Sequence, residues 1–309
     1  MSFPVQNKAP VDRAMKGNVF NVGPSKTCRI ELPVGLTYLD FEIECKVLGV
    51  NPYPGTVPAL AVMEASFDRI RVFLDGELRY DVPFAEYVQW FSFYRDIIGA
   101  TGYIPLMMSM PWNSDPNTPA KPGADDLGAK INGAWGTKNH SSFVIELDQS
   151  AASTIDYIDI RPTLHPVATD LGLHARPVRL THNLNTLGQS DWIIPFKEKG
   201  GFCYGIHLLP PTLANLTYIT LLVDGVPYKQ GTVEQLHRPL LRPTDKRTIQ
   251  TGWAHIDLAA RNFDDDALPF SIIDDNAVLQ LTFANAAPGT FPIWLTQVSP
   301  DTRAPSKPA

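Results

Sequence analysis

The chain has 309 residues, of which 44% are hydrophobic and 19% charged, with a formal net charge of −6. Such a composition is rich enough for packed cores in one to three domains and too poor in positive charge for general nucleic-acid binding, which works by neutralising phosphates. No run of about twenty apolar residues offers a membrane-spanning helix, and Met1 to Asn7 lacks the apolar core of a signal peptide.

Residues 1–18 read as a polar arm, with Lys8, Arg13 and Lys16 against Asp12. Such a terminus is either solvated or ordered against an anionic surface or a neighbouring subunit. Strands begin at Thr27, where Cys28, Ile30 and Leu32 alternate with Arg29 and Glu31. Tyr38 to Cys45 then places Leu39, Phe41, Ile43 and Cys45 on one face and Asp40, Glu42 and Glu44 on the other. Alternation this clean predicts a sheet with one face on a core and the other on water or a partner. Cys28, Cys45 and Cys203 are odd in number and lack metal-ligand spacing, so they read as reduced core thiols of a chain folded in a cytosol.

After a loop at Asn51–Gly55 comes Phe67–Gly76, a strand with Ile70, Val72 and Leu74 to one side and Arg69, Arg71 and Phe73 to the other. Asp75-Gly76 closes it as a tight hairpin turn. A helix is expected over Pro83–Ile98, since Pro83 suits a first turn, Glu86 complements the positive helix end and Gly99 can close it. Phe84, Tyr87, Phe91, Tyr94 and Ile98 form an apolar stripe that Trp90 widens. The stripe fits either a helix packed over a sheet edge or a subunit interface, where aromatics are enriched. Gly102–Met110 is a strand, and Pro111–Thr137 is a long insertion expected to stand out from the body. Phe143–Leu147 and Ile155–Ile160 close the first unit near Pro162, and Thr163–Arg176 reads as a linker.

The second unit runs through Asp191–Phe196, Phe202–Leu209, Leu216–Gly225, His255–Leu258, Val278–Phe283 and Phe291–Leu295. A shorter helix is expected at Thr232–Arg238, limited by Pro239 and Pro243. The last strand ends near Val298, before a Pro-rich tail, Ser299–Ala309.

Leu216–Gly225 repeats Phe67–Gly76, with Ile219, Leu221 and Val223 in the apolar places and Asp224-Gly225 at the turn, 149 residues on. Ile98–Tyr103 is echoed by Thr248–Trp253, with Gly102 and Gly252 separated by 150 residues. Two anchors in one order with nearly one offset imply two tandem copies of a domain. Each copy holds about eight short strands and a helix, the pattern of a jelly roll. The expected fold is therefore all-β, a double jelly roll of two eight-stranded sandwiches at 19–165 and 166–298, between the arm and the tail 299–309.

Chemistry is sparse. There is no G-x-S-x-G, H-E-x-x-H, phosphate-binding glycine loop or dinucleotide fingerprint. His255 and Asp257 share one strand face, as metal ligands do in cupins, but the further Glu and His that a cupin needs are missing, and an exposed strand face is the expectation. The acidic turns Asp264, Asp265, Asp266 and Asp274-Asp275 carry oxygen ligands of the kind a structural Ca²⁺ takes, without the spacing of an EF-hand.

Asn21–Tyr38, then Gly49-Val50, Ile70–Gly76 and Ser142–Ala152, resemble the N-terminal part of the corticovirus major capsid proteins. The likeness continues over Thr181–Thr186, Ile206-His207 and Asp224-Gly225, and departs at Asn51–Pro58 and Pro111–Thr137, which look longer here. The resemblance implies a non-catalytic coat subunit of a tailless icosahedral phage with an internal lipid membrane. It implies a homotrimer with a pseudo-hexagonal outline, in contact with neighbouring capsomers, vertex proteins and minor membrane proteins. The arm with Lys8, Arg13 and Lys16 would lie near the membrane, and the subunit would be made in the host bacterial cytoplasm. Three other readings stay open: a two-barrel metal enzyme of the bicupin kind or a glycan-cleaving one, a carbohydrate-binding sandwich, and a minor or vertex protein of the same lineage.

Overall fold

The computed structural model describes residues 11–12, 18–47, 58–94, 103–107, 134–165, 173–184, 188–194, 201–241, 247–258, 268–269, 277–284 and 289–300. Lys8, Arg13, Lys16, most of the expected insertion, the echo at Ile98–Gly102, both acidic turns and residues 301–309 lie outside the described residues.

The first half contains β1 (Val11–Asp12), β2 (Asn18–Phe20), β3 (Thr27–Leu32), β4 (Thr37–Lys46), β5 (Phe67–Leu74), β6 (Glu77–Pro83), β7 (Tyr103–Met107), β8 (Trp135–Gly136), β9 (Phe143–Gln149) and β10 (Tyr157–His165). The second contains β11 (Leu173–Leu184), β12 (Gly188–Ile193), β13 (Phe202–Leu208), β14 (Leu216–Val223), β15 (Val226–Gly231), β16 (Ala254–Asp257), β17 (Leu268–Pro269), β18 (Ala277–Phe283) and β19 (Gly289–Pro300). The α-helices among the described residues are α1 (Leu60–Ser66), α2 (Phe84–Tyr94) and α3 (Val233–His237).

Four antiparallel sheets result, and they come in matching pairs. In the first half the orders are β1-β10-β4-β7 and β3-β9-β5-β6, and in the second β11-β19-β13-β16 and β12-β18-β14-β15. Among the described residues, and without the short additions β2, β8 and β17, each half has eight strands. Each puts the first, eighth, third and sixth in one sheet and the second, seventh, fourth and fifth in the other. That order is a jelly roll, built twice, as the internal repeat predicts.

The repeated hairpins are alike in detail. In β5 and β14 burial follows one pattern over the first seven positions. Asp75 and Gly76 have φ of 54° and 77°, and Asp224 and Gly225 have 51° and 77°. Two successive left-handed residues make the turn type whose twist matches paired strands, which is why Asp-Gly recurs. The inward residues meet as expected. Cys28, Ile30, Phe41, Ile43, Cys45, Ile70, Val72, Leu74, Ile145 and Leu147 fill the first core. Cys203, Ile206, Ile219, Leu221, Leu279, Leu281 and Leu295 fill the second. Each buried aliphatic contributes about 1.5–3 kcal/mol. All three cysteines are free and buried.

Several boundaries differ from the sequence expectation. Val11 and Asp12, inside the expected arm, pair with Leu164 and Thr163. The expected linker is shorter at both ends, since β10 continues to His165 and β11 begins at Leu173. Pro177 lies within β11, an edge strand, where a residue without an N–H is tolerated. β19 runs to Pro300, into the expected tail. Trp135 closes the insertion as a fully buried core residue paired with Tyr38 rather than part of a projecting loop. Helix α1 was not anticipated. Helix α2 is described from Phe84 to Tyr94, and α3 is the short helix expected, with a capping box between Thr232 and Gln235.

The turn geometry sets an expectation for stability. A Cβ added at Gly225 would meet nothing within 4 Å, so only its φ of 77° opposes a side chain. Gly225→Ala is expected to lower unfolding stability by about 1 kcal/mol in denaturant titration. Gly289→Ala, which meets equally open space without a positive φ, should change little.

Candidate functional site

Helix α2 joins the halves, beside contacts of β6 and β8 with β11. One side covers its own sandwich, where Phe84 lies 5.1 Å from Phe67 between ring centroids and Tyr87 and Phe91 are buried in the first core. The other side meets the outward face of β11, β13, β16 and β19. Trp90 stacks on Trp294 at 5.7 Å, and Trp253 approaches Trp294 edge-on at 6.3 Å. Trp253, Trp294, Val298 and Tyr204 of the second half therefore belong to the hydrophobic cluster of the first.

Specific polar contacts run through this aromatic seam. Arg179 forks onto Glu86, with Nε donating at 2.7 Å and Nη2 at 2.9 Å, and Trp294 Nε1 donates to the same carboxylate at 3.0 Å. Trp253 Nε1 donates to Gln89 at 2.9 Å. Thr296 Oγ1 accepts from Trp90 Nε1 at 3.1 Å and from Tyr94 Oη at 2.7 Å. Trp135 Nε1 donates to the Ala175 carbonyl at 2.8 Å. Gly205 lets Tyr94 come this close, since a Cβ there would sit 2.5 Å from Tyr94 Oη.

Beneath Tyr94 lies a cluster of buried titratable groups. His207 Nδ1 and His255 Nδ1 are 2.9 Å apart, so one donates and the other accepts. His207 Nε2 is 2.9 Å from Tyr94 Oη and 3.1 Å from Thr296 Oγ1. His255 stacks on Phe93 at 4.2 Å, and its backbone N–H donates to His237 Nε2 at 2.9 Å. Arg247 and Asp257 form a buried ion pair at 2.8 Å, with the guanidinium 5.1 Å from the Tyr94 ring centre. Burial and the Arg247 charge push His207 from an ordinary 6.5 down to about 3. Burial, with His207 and His237 nearby, holds His255 well below its usual value.

The sequence expectation for His255 and Asp257, an exposed strand face, is thus corrected: β16 is buried at all four positions. Asp257 is taken by Arg247 and His255 by His207, and no metal-holding group of three or more ligands exists among the described residues. The helix residues Phe84, Tyr87, Trp90, Phe91 and Tyr94 are all buried within one chain. The repeat turns lie apart from the seam. Asp75 accepts from His140 Nδ1 at 2.7 Å and from Ser141 N and Oγ at 2.6 and 2.7 Å. Burial raises its carboxyl, but these bonds outweigh that and hold it well below the usual carboxylate range. Asp224-Gly225 is exposed. Sequence reasoning missed Glu86–Arg179, Thr296, His207 and Arg247 as members of one site. The available signal was loss of alternation in β13, β16 and β19, strands buried on both faces.

With the geometry in hand, comparison with known proteins is informative at the level of fold. No protein-family model and no curated protein match the chain. Among solved structures, the major capsid protein P2 from bacteriophage PM2 superposes with a TM-score of 0.76 at 15% identity, over 96% of this chain and 98% of that one. The PBCV-1 virus capsid protein gives a TM-score of 0.58 at 9% identity over 97% of each chain. The Faustovirus major capsid protein gives 0.54 at 6% identity, over 96% and 92%. The chain has the double jelly-roll fold. At these identities the likeness establishes architecture, and it agrees with the fold implied by the sequence resemblance.

The buried histidines make stability depend on pH. Folded His207 stays neutral down to about pH 3, whereas an unfolded histidine takes a proton near 6.5. Between those values protons bind the unfolded chain preferentially, so stability is complete above about pH 6.5 and falls as pH falls. Each such histidine contributes a slope of about 1.4 kcal/mol per pH unit. Denaturant midpoints measured from pH 7.5 to 5 should decline, and less steeply in His207→Gln. A flat profile would contradict the neutral pair.

Proposed function

We propose that this chain is the major capsid subunit of a tailless icosahedral phage with an internal membrane, and that three copies close into a pseudo-hexagonal capsomer. One observation carries the reading: two sandwiches of identical strand order are locked into a single body by α2. Three copies of such a body present six near-equivalent sides, so one protein fills sixfold-like positions with true threefold symmetry. The fold it shares with proteins named as viral capsid proteins supports the same reading.

On this reading residues 19–165 and 166–298 are the two capsomer-forming units, and the subunit resides in the virion shell after synthesis in the host bacterial cytoplasm. Its partners are two copies of itself, adjacent capsomers, vertex proteins and minor membrane proteins. Lys8, Arg13 and Lys16 face anionic headgroups, each contributing about 1 kcal/mol. The subunit performs no catalysis. A two-barrel metal enzyme has less support, because the histidine and carboxylate side chains that gather at the seam are committed to each other.

Light scattering on the purified protein should give the mass of three 34.2 kDa chains, roughly 103 kDa, with hexagonal particles in negative stain. A stable monomer would overturn the capsomer reading. Replacing Lys8, Arg13 and Lys16 together by Gln should weaken co-sedimentation with anionic vesicles by tenfold or more, on the per-residue figure above. Unchanged binding would remove the arm from the membrane.

A further inference from the structure

The two halves share a strand order but treat matching sheet faces in opposite ways. Pairing aligns them residue by residue. Ile43 pairs with Ile104 and Ile160 in the first half, as Ile206 pairs with Ile256 and Leu295 in the second. The outward positions Glu42, Glu44, Asp159 and Arg161 then correspond to Gly205, His207, Trp294 and Thr296. The second set is roofed by α2. In the first set Glu42 and Arg161 are exposed and Asp159 is half-buried, while Lys46 and Arg161 hold Glu44 at 2.8 and 3.1 Å.

Helix α3 stands in the second half where α2 stands in the first, after the fifth strand and before the sixth. Helix α2 covers its own sandwich with one side and the next sandwich with the other. Helix α3 packs on β14, β15 and β16 of its own half. Its outward side carries exposed Glu234 and Arg238, and the turn after it ends in Leu241, which is 67% exposed.

We propose that the outward face of β4 and β10 is the docking surface for α3 and Leu241 of a second copy of this chain. The proposal rests on the capsomer reading and assigns which surfaces meet. Inside the chain the first half roofs the second; between chains the second half roofs the first half of the next copy. The contact is head-to-tail, and three repeats close it into a ring. Both surfaces offer both signs of charge for pairing, Glu42, Asp159 and Arg161 on the face and the Glu234–Arg238 pair on the helix side. Composition agrees: a seam formed once during folding is largely aromatic with its few charges paired, whereas a surface that waits in water for a partner is charged.

A cysteine pair tests the assignment. Glu42→Cys combined with Leu241→Cys should, on mild oxidation, give a covalent band at three times the chain mass on a non-reducing denaturing gel. The native cysteines are buried and should not compete. Leu78→Cys with Ile193→Cys, both exposed on the other sheets, should not link. If scattering gives a trimer but only the control pair links, another surface holds the trimer and the capsomer reading survives. A monomer in scattering overturns both. Should the double variant fail to fold, Glu42→Lys serves instead: a shift from trimer to monomer supports the assignment, and an intact trimer overturns it.

Discussion

The relative position of the two sandwiches depends on α2 being buried on two sides at once. A helix with one apolar stripe covers one sheet. This one is hydrophobic almost all round, because Phe84, Tyr87 and Phe91 serve the first core while Trp90, Phe93 and Tyr94 serve the second half. Tryptophan suits the task, since it brings large flat area for stacking and an N–H that must be satisfied when buried. Thr296 meets that need for Trp90 and takes the Tyr94 hydroxyl as well. The same residues therefore supply hydrophobic area and fix orientation.

Duplication explains the economy of the design and also its asymmetry. Both halves keep the turn, the strand order and a helix after the fifth strand. What diverged is the outward face of the sheet holding the first and last strands. Glu44 in one copy answers to His207 in the other, and Asp159 to Trp294. A carboxylate at either second-half position would sit under α2 without solvent and would need a partner there. Histidine, kept neutral by its surroundings, retains polarity and hydrogen-bonding capacity without that charge.

Much of this was legible before the fold was known. Alternation placed β3, β4 and β5 with the correct faces inward, and the two Asp-Gly turns revealed the duplication. The aromatic stripe of α2 was visible, but its partner was not. Periodicity distinguishes a half-buried strand from water-facing residues, and it falls silent when both faces are covered. Ile293 to Val298 is buried at every position, and so is Ala254 to Asp257. There the polar residues His255, Asp257 and Thr296 resemble a solvated face when read one strand at a time. The linker expected over Thr163–Arg176 is likewise shorter than it reads, because β11 is an edge strand that begins at Leu173 and tolerates Pro177. The insertion was expected to leave the body, yet Trp135 at its end stacks on Phe143 and His174 in the core.

The polar network under the seam is better understood as a device for angle than for strength. Burying Arg247 and Asp257 forfeits hydration that their attraction barely recovers, and an apolar pair of equal volume often serves stability as well. Aromatic surfaces alone, however, tolerate sliding, because dispersion varies little with small displacements. The fork of Arg179 on Glu86, the double acceptor at Thr296 and the single proton between His207 and His255 each fail over a fraction of an ångström. Together they permit one orientation of sandwich against sandwich. A shell built from repeated bodies multiplies any error in that angle around a ring, so geometry is the quantity worth fixing. The cost is sensitivity to acid, since a histidine of the pair that takes up a proton becomes a cation buried away from water.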